Sequence, residues 1–192
     1  MTSKIYVLKK LTKPVITSPT DVIIKVKATG ICGSDTSRYK KLGPYQKGMT
    51  FGHEFSGIVE NVGSQVTSLT VGDRVTGCPA IVCHQCAQCE QGNYSRCESL
   101  YVIGSLEPGC FAEFVKLPIS NVLKLPDNVD FTTAAMVEPS AVVAHGFYKT
   151  NMKPGAYSGN YGMWQHRSVS YPMGTKSLVQ ATSLQSISTI IN

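Results

Sequence analysis

"DVIIKVKATGICGSD", Asp21 to Asp35, puts a strand and a reactive cluster side by side. Apolar and polar residues alternate from Val22 to Ala28, the period-two signature of a half-buried strand. The strand runs into "GICGSD", which carries a thiol, a hydroxyl and a carboxylate. Working outward, "FSGIVENVG" (55–63) and "VGDRVTG" (71–77) read as two more strands, with a turn near Gly63 and Ser64. "CFAEFVKLP" (110–118) and "NVLKLPD" (121–127) continue the pattern. Short strands punctuated by Gly, Asp and Pro predict a mainly β fold, a closed or partly closed barrel. "DFTTAAMVEPSAVVAHGFYKT" (130–150) differs. It is Ala-rich, offers Asp130 and Thr132 as caps, and has helical spacing interrupted by Pro139. One or two helices leaving the barrel are expected there.

Composition bounds the function classes. The 192 residues suffice for one domain, or one and part of another. No run of about 18 apolar residues occurs, so no membrane span is expected. "MTSKIYVLKK" lacks the apolar core of a secretion signal. A soluble cytoplasmic protein is the expectation. The net charge of +6 is spread along the chain with no basic run longer than two residues. Nucleic-acid surfaces usually cluster their cations, so no nucleic-acid partner is expected.

Four of the seven cysteines crowd into "CHQCAQCEQGNYSRC": Cys83, Cys86, Cys89 and Cys97, spaced C-x2-C-x2-C-x7-C. In a reducing compartment this reads as metal ligation before disulfides. Zinc takes four such ligands in a tetrahedron, and with all four positions filled the ion is structural. A redox C-x2-C pair is the competing reading. His84 lies between ligands and is read as loop surface, and Cys78 and Cys110 as buried thiols. A second cluster is split between "GICGSD" and "GHEFSG": Cys32, Ser34, Asp35, His53 and Glu54. Cys and His from separate loops, with a carboxylate, form an incomplete zinc set of the kind that leaves a position open for substrate.

The order GICGSD, GHEFSG, VGDRV, the four-cysteine run, GCFAEF and VEP resembles the zinc-containing medium-chain alcohol dehydrogenases. It is most similar to their polyol branch, the sorbitol and galactitol-phosphate dehydrogenases. The resemblance spans about Val22 to Gly155 and implies a GroES-like β-barrel catalytic domain over residues 1–155, incomplete without its later segments. It implies that Cys32, His53 and Glu138 are ligands of a catalytic zinc, and that Glu54 is a further carboxylate beside it. Ser34 would relay the substrate proton, and Asp35 would support the ligating His. It further implies NAD(P) as hydride acceptor and a polyol or polyol phosphate as substrate. Family members oligomerise through the cofactor domain, so an oligomer is doubtful without it. These roles make chemical sense. Zinc makes an alcohol easier to deprotonate, and an Asp on the far nitrogen of His53 would fix its tautomer. Arg38 is either a partner for a substrate phosphate or a surface residue. Tyr39 either lines the pocket or packs, and His145 is read as structural. A free-standing zinc-binding β-domain that binds a partner without catalysis is the alternative function.

The texture changes after Gly155. No Asp or Glu follows Glu138, and residues 156–192 hold 10 Ser or Thr and the chain's only Trp. A dinucleotide fold should begin here with G-x-G-x-x-G. Gly155, Gly159 and Gly162 have the wrong spacing. Met163-Trp164-Gln165 can only be encoded ATG TGG CAR. Read one base later, this forces Cys-Gly, and Tyr161 to Arg167 then permit Met-Gly-Cys-Gly-Ser-Ile-Gly. Residues 156–192 are therefore expected to be out-of-frame and poorly ordered, with the Rossmann domain absent or destroyed and no cofactor-binding residue in the chain. Sequencing the encoding DNA tests this. The shifted frame should continue as G-C-G-S-I-G and a cofactor domain, and a stop or an unpatterned frame would refute it.

Overall fold

The computed structural model describes residues 10–149. They belong to two compact units, the first ending at Ala135 and the second beginning at Met136. The expected boundary at residue 155 and the tail 156–192 lie outside the described residues.

In chain order the strands are β1 (Asp21–Thr29), β2 (Phe55–Val62), β3 (Arg74–Gly77), β4 (Ala80–Ile81), β5 (Tyr101–Val102), β6 (Phe114–Pro118) and β7 (Val122–Lys124). The helices are α1 (Gly33–Ser37), α2 (Ala87–Glu90), α3 (Phe131–Ala134) and α4 (Val137–Lys149). β4 and β5 pair with each other; the other five strands form an antiparallel sheet in the order β6-β1-β2-β3-β7. All five strands expected from alternation are present.

The connection between the sheet's two edges shows how it curves. β6 and β7 lie at opposite edges, yet only Ile119–Asn121 separate them in the chain. A flat five-stranded sheet would put its edges about 19 Å apart at the usual strand spacing. Three residues cannot span that, since a fully extended chain covers at most about 3.6 Å per residue. The sheet therefore curls into a partly closed barrel. Asn121 fastens the closure. Its buried amide donates to the carbonyls of Cys78 (2.9 Å) and Ala80 (2.8 Å), and its own carbonyl accepts from the Cys78 N–H at 2.8 Å.

Val22, Ile24, Phe55, Val59, Val75, Val115 and Leu117 fill the interior, with Cys110 among them. β1 is central and departs from simple alternation: Asp21, Val22, Ile23 and Ile24 are all buried. Its pairing with β2 carries register shifts between Ile23 and Ile24 and between Val26 and Ala28. Beyond the strand ends the ladder continues, with Gly30 N–H donating to the Glu54 carbonyl at 2.9 Å.

The helical region divides into α3 and α4 rather than breaking at Pro139. Pro139 is the third residue of α4, where its missing N–H has no intrahelical acceptor to lose. Of the two expected caps, Asp130 is the one in place: its carboxylate accepts from the Thr133 N–H and hydroxyl at 2.9 and 2.7 Å. Thr132 lies inside α3. No helix among the described residues is long and apolar enough to cross a membrane.

Asp21 anchors the start of β1. One carboxylate oxygen accepts from Thr17 N–H (2.9 Å), Thr17 hydroxyl (3.0 Å) and Ser18 N–H (2.8 Å). Lys116 Nζ stands 3.4 Å away. Burial works to raise the carboxyl pKa, but the bonds from Thr17 and Ser18 and the Lys116 charge outweigh it and hold it below its usual value. A depressed pKa stabilises the fold above the unfolded value of about 4, and that contribution fades as pH falls through the folded pKa. Asp21→Asn should therefore cost about 1–3 kcal/mol at pH 7. The deficit should shrink toward pH 3, as read from urea unfolding at both pH values.

Candidate metal centres

The four-cysteine lobe lies between β4 and β5. Cys86 precedes α2 in extended conformation, Cys89 lies within it, and Cys97 follows a single 3₁₀ turn at Tyr94–Arg96. The backbone turns that fold the thiols inward use Gly92 (φ 76°) and His84 (φ 58°), the one non-glycine residue with positive φ among those described. His84 is exposed, as expected, and sits edge-on to Tyr94 with ring centroids 5.7 Å apart. The four sulfurs lie within 4.8 Å of one another. Cys83–Cys89 is 3.9 Å and Cys97–Cys83 is 3.5 Å. A tetrahedral ion with bonds of about 2.3 Å requires sulfurs about 3.8 Å apart, so the set fits zinc.

Between residues 82 and 100 the only buried side chains are Cys89 and Cys97. The lobe has no apolar core of its own. The sulfurs also respond differently to their surroundings. Hydrogen bonds from the backbone at Glu98 and Cys89 pull Cys86 down to about 6. Burial, then the neighbouring thiols, push Cys89 up to about 12. Four adjacent sulfurs cannot all ionise without a compensating cation.

The second cluster comes from two loops at one end of the sheet. "GICGSD" follows β1, and "GHEFSG" leads into β2. Cys32, His53 and Glu54 each offer a ligand atom, and these atoms lie within 4.8 Å of one another. The donor set of thiolate, imidazole and carboxylate suits zinc. Behind them Asp35 is buried, and its carboxylate stands 3.9 Å from His53 Nδ1 and accepts from the Cys32 N–H at 3.2 Å. Burial raises the Asp35 pKa, against the pull of His53 and of the Cys32 and Gly52 amides. The Cys32 pKa is lowered, first by its hydrogen bond with His53, against burial, and further by the Ser34 side chain and amide.

Three glycines make this arrangement possible. A Cβ on Gly30 would stand 2.0 Å from Glu54 Oε2. Gly52 has φ 94°, and a Cβ there would meet the Phe111 ring at 2.3 Å and Cys110 Sγ at 2.9 Å. A Cβ on Gly109 would lie 2.2 Å from the Gly52 carbonyl oxygen. The 109–111 backbone rungs onto the loop: Gly109, Cys110 and Phe111 N–H groups donate to the carbonyls of Thr50, Gly52 and Phe51, all at 2.9 Å. Cys110 Sγ lies 3.6 Å from the Glu54 carbonyl, and burial pushes its thiol up to about 12. This clamp was not read from the sequence; its trace there is the glycine density of "GHE" and "PGCF".

Other expectations divide. Glu138 lies in the first turn of α4, in the second unit. Cys110 is buried as expected, but Cys78 is exposed. It stands just past the end of β3, exposed between buried Gly77 and Pro79. His145 is exposed on α4, not packed as a structural residue would be. Tyr39 is 37 % exposed. The Arg38 guanidinium lies over the Tyr45 ring, 3.6 Å from its centroid.

Residues 18–127 match the alcohol dehydrogenase GroES-like domain. A relative named "Probable D-xylulose reductase A", from Aspergillus clavatus, is 40% identical over 148 residues, 74% of this chain and 41% of its own. Galactitol 1-phosphate 5-dehydrogenase of Escherichia coli is 38% identical over 135 residues, covering 70% of this chain and 39% of its own. The crystal structure of galactitol-1-phosphate dehydrogenase from Escherichia coli superposes with a TM-score of 0.76 at 35% identity, covering 80% of this chain and 44% of that one. The chain thus spans about two fifths of the length of these curated relatives.

Gly52→Ala tests the clamp. The left-handed φ and the Phe111 clash should cost about 2–4 kcal/mol. Zinc at the Cys32 cluster should be lost while the four-cysteine lobe keeps its metal, as measured by unfolding and by metal analysis per chain.

Proposed function

The chain belongs to the alcohol dehydrogenase GroES-like domain family, and on that premise we propose that it carries the catalytic zinc site of a polyol dehydrogenase. The reaction is oxidation of a secondary alcohol of a polyol, or of a polyol phosphate, to the corresponding ketose. In such an enzyme NAD(P) would accept the carbon-bound hydrogen as hydride, and the hydroxyl proton would leave separately to solvent. The observation that supports this reading is the convergence of Cys32, His53 and Glu54 to within 4.8 Å, with buried Asp35 behind His53.

Cys32 and His53 would hold the catalytic ion, with Glu138 as third ligand. The structural ion would sit on Cys83, Cys86, Cys89 and Cys97. A zinc ion in the open site would lower the pKa of the substrate hydroxyl. Asp35, its carboxylate 3.9 Å from His53 Nδ1, would favour a proton on that nitrogen and leave the other nitrogen for the metal. Ser34, hydrogen-bonded beside Cys32, is short and mobile enough to accept the hydroxyl proton and pass it outward. Glu54, wedged against Gly30, presents a carboxylate beside the metal. It adds a hard oxygen donor to a site that must accommodate neighbouring hydroxyls.

Cobalt in place of zinc provides the test, because its visible bands report each site's ligands. Galactitol should perturb the bands of the cobalt-loaded chain, and His53→Ala should abolish that response while the four-cysteine bands persist. A spectrum indifferent to polyols would overturn the reading and favour a zinc-binding β-domain that recognises a partner without chemistry.

A further inference from the structure

We propose that Arg38, stacked on Tyr45, is the residue that reads the anionic end of the substrate, so that this site prefers a phosphorylated polyol to the free polyol. The inference rests on the polyol reading above and narrows it.

Position comes first. The Arg38 N–H donates to the Ser34 carbonyl, closing one α-helical turn between them. Residues four apart on a helix lie on the same side, with Cβ atoms roughly 5–6 Å apart. Arg38 thus projects from the same face as Ser34, the proposed proton relay, one turn further from Cys32. An extended polyol with its reacting hydroxyl near Ser34 would direct its terminus along this face.

Preorganisation comes next. After Arg38 the helix widens into a π turn (Arg38–Leu42), closed by Gly43 N–H on the Arg38 carbonyl at 2.8 Å. Gly43 then turns the chain at φ 74°, which carries Tyr45 back beneath the guanidinium. Stacking on a ring fixes the guanidinium plane and leaves its edge N–H donors pointing sideways. That edge matches two oxygens of a phosphate.

The charge is also uncommitted. None of the ion pairs among the described residues involves Arg38. Between Asp35 and Glu54 the sequence holds Arg38, Lys40, Lys41 and Lys47, and no carboxylate. An arginine placed only for surface solubility would commonly find an acidic neighbour; this one has a ring that orients it.

Calorimetric titration of the zinc-loaded chain at low salt, with galactitol 1-phosphate and with galactitol, tests the proposal. The phosphate ester should bind about tenfold tighter or more, as expected for charge-assisted bidentate hydrogen bonds. Arg38→Gln should bring the two affinities within about twofold of each other. Arg38→Lys, which keeps the charge and loses the fork, should fall between. Inorganic phosphate should compete with the ester in the native chain and not in Arg38→Gln. A phosphate preference that survives Arg38→Gln would overturn the assignment. Galactitol binding with no preference for the ester would overturn it while leaving the polyol reading intact. Failure of both ligands to bind would overturn both.

Discussion

The backbone of Gly52 lies closer to Gly104 and Gly109 than any side chain would allow. A Cβ on Gly104 would stand 2.7 Å from the Gly52 carbonyl oxygen, and one on Gly109 still nearer. This contact of bare backbones locks the loop before His53 onto the segment that leads to β6. Three successive amides at 109–111 then hydrogen-bond to the carbonyls at 50–52. His53 and Glu54 take their direction from that lock. Cys32 meets them because β1 and β2 are paired up to their ends, Thr29 against Phe55. The cluster is therefore fixed by backbone geometry on both sides, and its side chains need little freedom to meet.

The two clusters solve opposite problems. The four-cysteine lobe has almost nothing apolar to bury, and what its interior holds instead is four sulfurs within 4.8 Å of one another. The Cys32 cluster rests on a well-filled barrel, and backbone hydrogen bonds and glycine contacts organise its loops. A buried carboxylate such as Asp35 is costly in a barrel interior unless its oxygens are used. Here one oxygen accepts from the Cys32 amide and stands 3.9 Å from His53 Nδ1, so the buried charge faces the cluster.

Much of this was legible in the sequence, for physical reasons. Alternating apolar and polar residues located β1, β2, β3, β6 and β7, although in β1 the first four residues are all buried and only β6 alternates cleanly in the fold. Thiols at two-residue spacing can face one another across a tight turn, and those at 83, 86 and 89 do, joined by Cys97 from the longer loop. Other features have no local signature. The two-residue pairing of β4 with β5 is set by the lobe between them, not by their own residues. Pro139 looked like a break, but only its position relative to the helix start decides that, and the start was unreadable. Cys78 looked like a core thiol by residue type, yet it is exposed between buried Gly77 and Pro79, its side chain on the outer side of the chain. The glycine clamp depends on which distant segments touch, and no single stretch of sequence contains that information. Arg38 was readable in two ways, as a phosphate partner or as a surface residue; its seat on Tyr45 depends on the π turn and on Gly43.

The junction of β1 and β2 has a consequence for how the chain tolerates change. The excursion from Gly30 to Glu54 begins and ends at one hydrogen-bonded rung. Its middle turns on Gly43 and Gly48, both in open space with nothing within 4 Å of a Cβ position. Lengthening such a segment costs little, because loop-closure entropy grows only as the logarithm of length. The same insertion within β1 would shift alternate side chains to the wrong face. Residues 44–47 between these two glycines, Tyr45 among them, can thus change in number or kind while the anchored ends keep their spacing, so a change there alters the seat of Arg38 without rebuilding the barrel.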